Sequence, residues 1–423
     1  MKQTVVCFGP GPQFKGGISN YNTSLAKALD KRGDIDVHII SWTQQYPAII
    51  PREFKDLKSK GNLLEGTSIK VKYITNYNNP FSWSRTVKYI RSLKPSKVIF
   101  QWSIALQGLP LGFIAERLKG LPNTEVIFDL HFVIQKENSK LDRAFTRMGI
   151  KKADTFLVHA LKTFNELQQL FPKKEFELTE TGHRQTKSGN SVIKLYHPIY
   201  DLFQADPDFD KNAFKQKHGL NKHVFLYFGF IRKYKGLHNV IKSFAELAAE
   251  RDDVSLIICG ESFWNTLDNK KLSTKIKNAT FGLAKKLFLS KSDDERNYDP
   301  ISLVDELGIR SKCLIVNEFI PNENVPQYFQ ASDCVLLFYL YATPSGIESL
   351  SYNFDMPLLA TNVGHFPETI KDGFNGYLVE PDNIEDMKNK MNKFIEQPIP
   401  RENVAKSKET MSWQNYAETI MTS

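Results

Sequence analysis

Short apolar runs alternate with amphipathic stretches along the first half of the chain. The runs occupy positions 4–9, 36–41, 70–75, 97–102, 125–130 and 155–160, and each has the length of one buried strand. Helical patterns lie between them, including those at 23–33, 83–95 and 139–153. Alternation of this kind predicts a parallel sheet whose strands are joined by right-handed helical crossovers.

A second alternating pattern begins after a polar, loop-like segment at 173–190. Its strand candidates lie at 223–230, 254–260, 313–319, 334–340, 357–360 and 376–381, with helices at 236–250 and 325–333. This renewal predicts a second α/β domain of the doubly wound type, with a boundary near 198–222. We assign residues 1–200 and 201–405 to the two domains and expect the final helix, within 406–423, to return to the first. The lysine-rich stretch at 263–300 is interpreted as a helical insertion.

The stretch 341–368, YATPSGIESLSYNFDMPLLATNVGHFPE, contains the clearest candidate for a ligand site. We interpret it as a loop, a helix that opens at Ser345, a buried strand and a tight glycine turn. Ser345 and Glu348 have the spacing of a capping box. The N–H groups of Gly346 and Ile347 would be unpaired at the helix start, where free donors and the helix dipole attract phosphate. An ordinary strand-to-helix turn is the alternative.

The loop after the first strand, GPGPQFKGGISNYN, is a second candidate for ligand binding. Doubly wound domains hold phosphate or other ligands at such a glycine-rich turn between a strand and a helix. The spacing G-x-G-x-x-G is absent, so the loop is a weak dinucleotide signature. Gly16 and Gly17 would still let the backbone approach a ligand closely.

Composition and charge narrow the class of protein. A hydrophobic content of 41% and a charged content of 24% are typical of a globular protein, and no apolar run is long enough to span a bilayer. The net charge of +9 favours anionic partners, although no nucleic-acid-binding module is recognised. The N-terminus is interpreted as a first strand and not a signal peptide. The four cysteines have no metal-ligand spacing, which predicts reduced core residues in a cytoplasmic protein.

These pieces occur together in the order found in one enzyme family. The loop GGISNYN, the run FGFIRKYKGL, and PNENVPQYFQASDCVLLFY leading into TPSG and PLLATNVGHFPETIKDGFNGYLVEP resemble the retaining glycosyltransferase family 4 (glycosyl transferases group 1). The resemblance covers nearly the whole chain and is strongest at 223–382. It implies the α/β fold called GT-B, in which two Rossmann-like doubly wound domains face each other across a cleft. It also implies a nucleotide-sugar donor bound by the second domain.

The resemblance assigns roles to residues at the cleft. Arg232 and Lys235 would neutralise the donor diphosphate and stabilise its charge as the glycosidic bond breaks. The family carries its arginine directly after the glycine, where this chain has Phe230, so Arg232 would act from two positions on. His131, two residues after Asp129 at a strand end, would face the sugar. The donor-binding candidates are Gly16, Gly17, Gly229, Glu261, Phe319, Ile320, Thr343, Ser345, Gly346, Ile347 and Glu348. The alternatives are a solvated basic turn and a structural Asp–His pair.

The family's pair of glutamates, eight positions apart, is missing from this chain. Aligned on Pro357, the pair would fall at Ala342 and Leu350. Glu348 lies about 200° around the helix from position 350 and cannot simply take over that role. We interpret Glu348 as the capping partner of Ser345, and we expect the backbone donors of the helix start to hold the diphosphate.

The resulting hypothesis is a cytoplasmic retaining glycosyltransferase that acts in the biosynthesis of cell-surface polysaccharide or glycoconjugate. It would move a sugar from a UDP- or GDP-linked donor to a glycan or lipid-linked acceptor. The resemblance alone implies retention. No cofactor or metal is expected, because cationic side chains and the helix dipole would replace the ion. A non-catalytic sugar-nucleotide-binding protein, a GT-B epimerase and a phosphorylase are the alternatives.

Basic clusters in the first domain predict salt-sensitive, peripheral contact with an anionic membrane, which would suit a lipid-linked acceptor. The clusters are Lys55, Lys58 and Lys60; Lys88, Arg91 and Lys94; and Arg143, Arg147, Lys151 and Lys152. A merely soluble basic surface is the alternative.

Overall fold

The computed structural model describes residues 2–47, 54–134, 140–182, 191–262 and 298–422. Within these ranges, parallel strands form two sheets with helices on their faces. The insertion predicted at 263–300 lies outside the described residues except for its last three positions.

The first sheet has the strand order β3-β2-β1-β4-β5-β6-β8-β7, and its described pairings are parallel. Its strands are β1 Gln3–Phe8, β2 Ile35–Gln44, β3 Lys70–Asn76, β4 Lys97–Trp102, β5 Glu125–Leu130, β6 Thr155–Val158, β7 Glu177–Thr179 and β8 Ser191–Lys194. The helices of this domain are α1 Gly17–Lys31, α2 Pro80–Leu93, α3 Gly108–Leu118, α4 Lys140–Ile150 and α5 Leu161–Leu170. The order reverses direction at β1, as in a doubly wound domain.

The second sheet has the order β11-β10-β9-β12-β13-β14 and is also parallel where described. Its strands are β9 His223–Phe228, β10 Val254–Cys259, β11 Cys313–Val316, β12 Cys334–Leu337, β13 Leu358–Thr361 and β14 Gly376–Val379. The remaining helices are α6 Lys211–His218, α7 Leu237–Glu250, α8 Ser302–Glu306, α9 Val325–Ala331, α10 Gly346–Asn353, α11 Phe366–Thr369, α12 Ile384–Glu396, α13 Arg401–Lys408 and α14 Trp413–Met421. The two-domain α/β fold expected from the sequence is confirmed.

Two local predictions are wrong. The first helix begins at Gly17 and not at position 23, because the polar side chains of its first turns bond inward to the preceding loop: Ser19 donates to the carbonyl of Gly11 at 2.6 Å, and Asn22 donates to that of Pro10 at 3.3 Å. The segment 173–190, interpreted as a loop, contains β7. This strand has three half-buried residues at the sheet edge, and its polar sequence has no apolar run.

The final helix lies against the first domain. α14 packs on α1, and the indole Nε1 of Trp413 donates to the carbonyl of Ile199 at 2.6 Å. After the second domain, the chain thus returns to the first domain beside the linker that connects the two. Among the described residues, no helix is both long and apolar enough to cross a bilayer.

The turn after β13 offers a test of close backbone packing in the second domain. Gly364 has a φ of +60°, and a Cβ atom there would lie 2.0 Å from the carbonyl oxygen of Ala342. Gly364→Ala should therefore lower the unfolding temperature by combining left-handed strain of about 1–2 kcal/mol with overpacking of about 1–3 kcal/mol. The matched control is Gly373→Ala, because Gly373 has a φ of +78° but a Cβ atom there would meet no described atom within 4 Å. Calorimetry should show the larger loss for Gly364→Ala; equal losses would contradict the packing account.

Candidate active site

A cavity of about 250 Å³ lies between the carboxyl edges of the two sheets. The loop after β1 forms one wall, and the ends of β9, β10, β11 and β12 with the start of α10 form the other. Of the sequence candidates, the following line it: Gly16, Gly17, Gly229, Lys235, Glu261, Phe319, Ile320, Thr343, Ser345, Gly346 and Ile347. Arg232, His131 and Glu348 are not among its lining residues.

The start of α10 faces the cavity, with one of its donors capped. Ser345 is the N-cap residue, and its hydroxyl accepts the N–H of Ile347 at 3.3 Å. The prediction that the Ile347 N–H is unpaired is therefore wrong, because the cap bonds to the second helical residue. Gly346 and Thr343 remain in the wall with Ser345, so the helix dipole still points into the cavity.

Glu348 does not complete a capping box, so that interpretation is wrong. Its carboxylate is buried and accepts hydrogen bonds from His365 Nε2, at 2.5 Å, and from the hydroxyl of Thr369. Both partners lie at α11, on the side of α10 away from the cavity. The residue therefore holds α10 against α11, and the expectation that it contacts a donor does not agree with this position.

Lys235 supplies a buried cation to the cavity. It ends the turn Lys233–Lys235 between β9 and α7, and only about 9% of the residue is exposed. A Cβ atom on Gly229 would lie 3.1 Å from its Nζ, so the glycine leaves the space that the ammonium group uses. Burial, and next the charge of Arg232, lower the pKa of Lys235 to about 8. An anionic ligand would offset both effects.

Arg232 is close enough for its charge to act on Lys235, but it is not among the residues that line the cavity. Its guanidinium carbon is 5.5 Å from the centre of the Tyr234 ring. The position that the family gives to arginine is held by Phe230, which does line the cavity. Arg232 thus contributes charge to the site through its proximity to Lys235, and direct contact with a ligand in the cavity is not supported.

Tyr200 joins the two walls, although no sequence pattern selects it. Its hydroxyl donates to the carbonyl of Gly17 at 2.9 Å. A Cβ atom on Gly17 would lie 3.0 Å from this hydroxyl, and one on Gly346 would lie 2.7 Å from it. The two glycines therefore admit the tyrosine between the first-domain loop and α10. A lone tyrosine in a linker carries no sequence signal for this role.

Lys15 is a second residue that sequence reasoning missed. Its ammonium group lies 4.0 Å from the carboxylate of Glu261 and 4.9 Å from the ring centre of Phe319. Lys15 belongs to the first domain, and both partners belong to the second. The side chain therefore crosses the cavity, and its position just before the Gly16–Gly17 pair was the available signal.

His131 belongs to a buried polar network and not to the cavity wall. Its Nε2 is hydrogen-bonded to the side-chain oxygen of Gln101 at 2.8 Å, and burial lowers its pKa to about 4. Asp129 accepts from His159 Nε2 at 2.7 Å and from the hydroxyl of Tyr416 at 3.0 Å. The structure therefore favours a structural network over direct contact between His131 and a sugar in this cavity.

Comparison with known proteins finds sequence similarity over about half of the chain. Residues 208–411 match the family model described as "Glycosyl transferases group 1". Spore coat protein SA of Bacillus subtilis (strain 168) is 21% identical over 238 residues, which are 54% of this chain and 55% of that protein. The chain thus spans about half the length of this curated relative.

Solved structures share the fold over nearly the whole chain. Anabaena Alr3699/HepE in complex with UDP-glucose has a TM-score of 0.65 at 16% identity, covering 99% of this chain and 98% of that one. WaaG, a glycosyltransferase involved in lipopolysaccharide biosynthesis, has a TM-score of 0.59 at 15% identity, covering 99% and 100%. The chain therefore has the GT-B fold, and its residues 208–411 are similar to the glycosyl transferases group 1 domain. These similarities support a glycosyltransferase enzyme.

Proposed function

We propose that this protein transfers a sugar from a UDP- or GDP-linked donor to a glycan or lipid-linked acceptor, with retention of configuration as in glycosyltransferase family 4. UDP is the first candidate nucleotide, because the similar HepE structure was solved with UDP-glucose. Roles in polysaccharide or glycoconjugate synthesis and a cytoplasmic location are part of the same proposal.

One observation carries the proposal: the cavity joins a helix N-terminus to a buried lysine. Ser345, Gly346 and Thr343 line it at the start of α10, and Lys235 lines it in the turn between β9 and α7. A helix N-terminus supplies N–H donors and positive potential to phosphate, and an ammonium group adds a charge-assisted contact. A nucleoside diphosphate fits this combination of groups better than a neutral ligand.

The proposed reaction places the leaving diphosphate against these groups. The bond between the anomeric carbon and the phosphate oxygen breaks, and its electron pair stays on that oxygen. The acceptor hydroxyl attacks from the same face and passes its proton to the departing phosphate oxygen. Lys235 and the start of α10 stabilise the growing negative charge, and this stabilisation raises the rate because the charge is greatest in the transition state. A resident metal ion is not part of the proposal.

A purely sugar-nucleotide-binding protein is the second candidate. Ala342 and Leu350 occupy the positions of the family's paired glutamates, and Leu350 lines the cavity. Release of free UDP from a UDP-sugar in the presence of an acceptor distinguishes the enzyme from the binder.

Replacing Lys235 tests the proposed diphosphate site. Loss of a charge-assisted contact should weaken UDP binding by about tenfold in Lys235→Met and should slow sugar transfer further. Wild-type affinity should also fall as the pH rises from 7 to 9, because the ammonium group, with a pKa of about 8, loses its proton in this range. The variant should lack this pH dependence. Isothermal titration calorimetry with UDP, and with GDP for comparison, makes both measurements.

Lys233→Met is the matched control, because Lys233 lies in the same turn and is exposed. It should leave both affinity and pH profile unchanged. Near-wild-type UDP binding by Lys235→Met would contradict the proposed site. Another group, such as a metal ion, would then have to neutralise the diphosphate.

We further propose that a membrane-bound lipid-linked acceptor reaches the cleft across the first domain. Exposed apolar residues stand in the first turns of α2, α3, α4 and α5; they are Phe81, Leu109, Leu141 and Leu161. These helices follow the carboxyl ends of parallel strands, so their first turns share the edge of the sheet that borders the cleft. Residues 1–200 contain 30 Lys and Arg against 16 Asp and Glu, whereas residues 201–423 contain 26 against 31. Apolar side chains on a basic domain suit an anionic lipid surface.

One of the predicted basic clusters, that of Lys55, Lys58 and Lys60, contacts the second domain. The ammonium group of Lys58 lies 2.5 Å from the carboxylate of Glu318, and the N–H of Lys60 donates to Glu323 at 3.4 Å. This cluster therefore contacts the second domain, which reduces its availability to lipid. Lys88 and Arg91 of α2 and its C-cap residue Lys94 are exposed and stay available to an anionic surface.

Vesicle sedimentation tests the membrane proposal. The protein should sediment with phosphatidylglycerol vesicles at low salt and much less with phosphatidylcholine vesicles, because each basic residue near an anionic surface contributes about 1 kcal/mol. Phe81→Ser with Leu141→Ser should reduce the bound fraction. The control is Leu307→Ser, which removes a similarly exposed apolar side chain from the second domain. Equal sedimentation with both lipids would exclude the proposal.

A further inference from the structure

A buried carboxylate in the first domain holds the loop that follows β5. Glu166 of α5 is about 8% exposed. Its Oε2 atom accepts the backbone N–H groups of Val133 and Ile134 at 3.3 and 3.1 Å. These residues come directly after His131 and Phe132, at the edge of the sheet that borders the cleft. One side chain therefore fixes two consecutive peptide groups of this loop.

The second domain supplies a further donor to the same carboxylate. The hydroxyl of Tyr341 donates to Glu166 Oε1 at 3.3 Å. The Lys162 ammonium group lies 3.4 Å from the centre of the Tyr341 ring and 3.4 Å from the carbonyl oxygen of Ala342. Two side chains of α5, those of Lys162 and Glu166, thus hold residues 341 and 342.

Residues 341 and 342 lead directly into the cavity. Thr343 and Ser345, which follow it, line the proposed diphosphate site. The carbonyl of Ala342 also packs against the Gly364 turn, so the segment has little freedom to move alone. A shift of the donor-binding loop would therefore move Tyr341 and change its hydrogen bond to Glu166. Because Glu166 also holds the loop after β5, that loop would respond as well.

We propose that Glu166 and Tyr341 are positioning residues that couple nucleotide binding in the second domain to the order of loop 131–134 in the first. The coupling rests on the proposed function for its ligand, a nucleoside diphosphate. Docking of the second domain completes the set of donors on the Glu166 carboxylate, and the loop is then held on the acceptor side of the cleft. Acceptor-side geometry would be complete only when the donor domain is in place.

Hydrogen exchange of the Val133 and Ile134 amides measures this coupling directly. In the wild type, saturating UDP should slow exchange at these two amides. Tyr341→Phe keeps the ring beneath Lys162 but removes the hydroxyl, so this UDP-dependent slowing should be lost. The same amides should exchange about three- to tenfold faster than in the wild type with UDP bound. Glu166→Gln should have a larger effect, because a neutral amide oxygen holds the two loop N–H groups more weakly than the carboxylate does.

Tyr377→Phe is the matched control, since the Tyr377 hydroxyl donates to the carbonyl of Gln397 at 3.1 Å within the second domain. It should leave exchange at 133–134 unchanged. The UDP affinity and unfolding temperature of Tyr341→Phe should stay close to those of the wild type. Unchanged exchange at these amides in both Tyr341→Phe and Glu166→Gln, or a rise spread over the whole first domain, would overturn the coupling.

The exchange measurement also separates two failures. If UDP does not bind the wild type, the proposed function fails, but the unliganded proteins still decide whether Glu166 holds the loop. If UDP binds and slows exchange equally in the wild type and Tyr341→Phe, the nucleotide site stands and the coupling is wrong.

Discussion

The buried charge of Asp129 holds the C-terminal helix against the sheet of the first domain. Burial raises the pKa of this carboxyl group, but the charge of His159 and the hydrogen bond from it outweigh burial and lower the pKa to about 2. A buried charge needs partners, and removing one partner of such a pair typically costs about 3–5 kcal/mol. Asp129 takes one partner from the end of β6 and another, Tyr416, from the C-terminal helix. This requirement binds the end of the chain to the first sheet.

The same network extends to the linker and to the second-domain side of the cleft. The ring of Tyr21 packs 4.7 Å from that of His131 and 5.0 Å from that of His197. His197 is hydrogen-bonded to the hydroxyl of Ser349 on α10 at 2.6 Å. A structural connection therefore runs from the first sheet to the helix that opens onto the cavity. His131 thus takes part in the packing that connects the two sides of the cleft.

The proposed diphosphate site relies on backbone and lysine where the family uses carboxylates. Leu350 replaces a glutamate, and Glu348 is committed to His365 and Thr369 beneath α10. The Glu348 carboxylate thus stabilises the helix whose N-terminus faces the cavity. Lys235, Ser345 and Gly346 remain at the cavity, and Lys15 reaches it from the opposite domain.

The fold could be predicted from the sequence because its signals are local. Buried parallel strands such as those at 97–102 and 125–130 are continuous apolar runs, and the structure matches both to the residue. β7 was missed because a short, polar edge strand has no such run. Ser345 was recognised as a helix cap from its immediate neighbours. The partners of Glu348 could not be recognised, since His365 lies 17 residues away and is brought near only by the packing of α11.

Contacts between domains were the least predictable part of the site. Tyr200 fits between Gly17 and Gly346, which are far apart in the chain, and neither its residue type nor its spacing indicates that role. The pairing of Tyr341 with Glu166 likewise exists only because the domains meet. Local patterns predict which residues end a strand or begin a helix, whereas the relative placement of the domains decides which of them meet.

A crystal structure of the protein with UDP would test the central claim most directly. We predict that the diphosphate lies within hydrogen-bond distance of the Gly346 N–H, the Ser345 hydroxyl and the Lys235 ammonium group. The nucleoside should extend toward the wall formed by Glu261 and Phe319. A diphosphate bound at another surface, with the start of α10 free of ligand, would contradict the account.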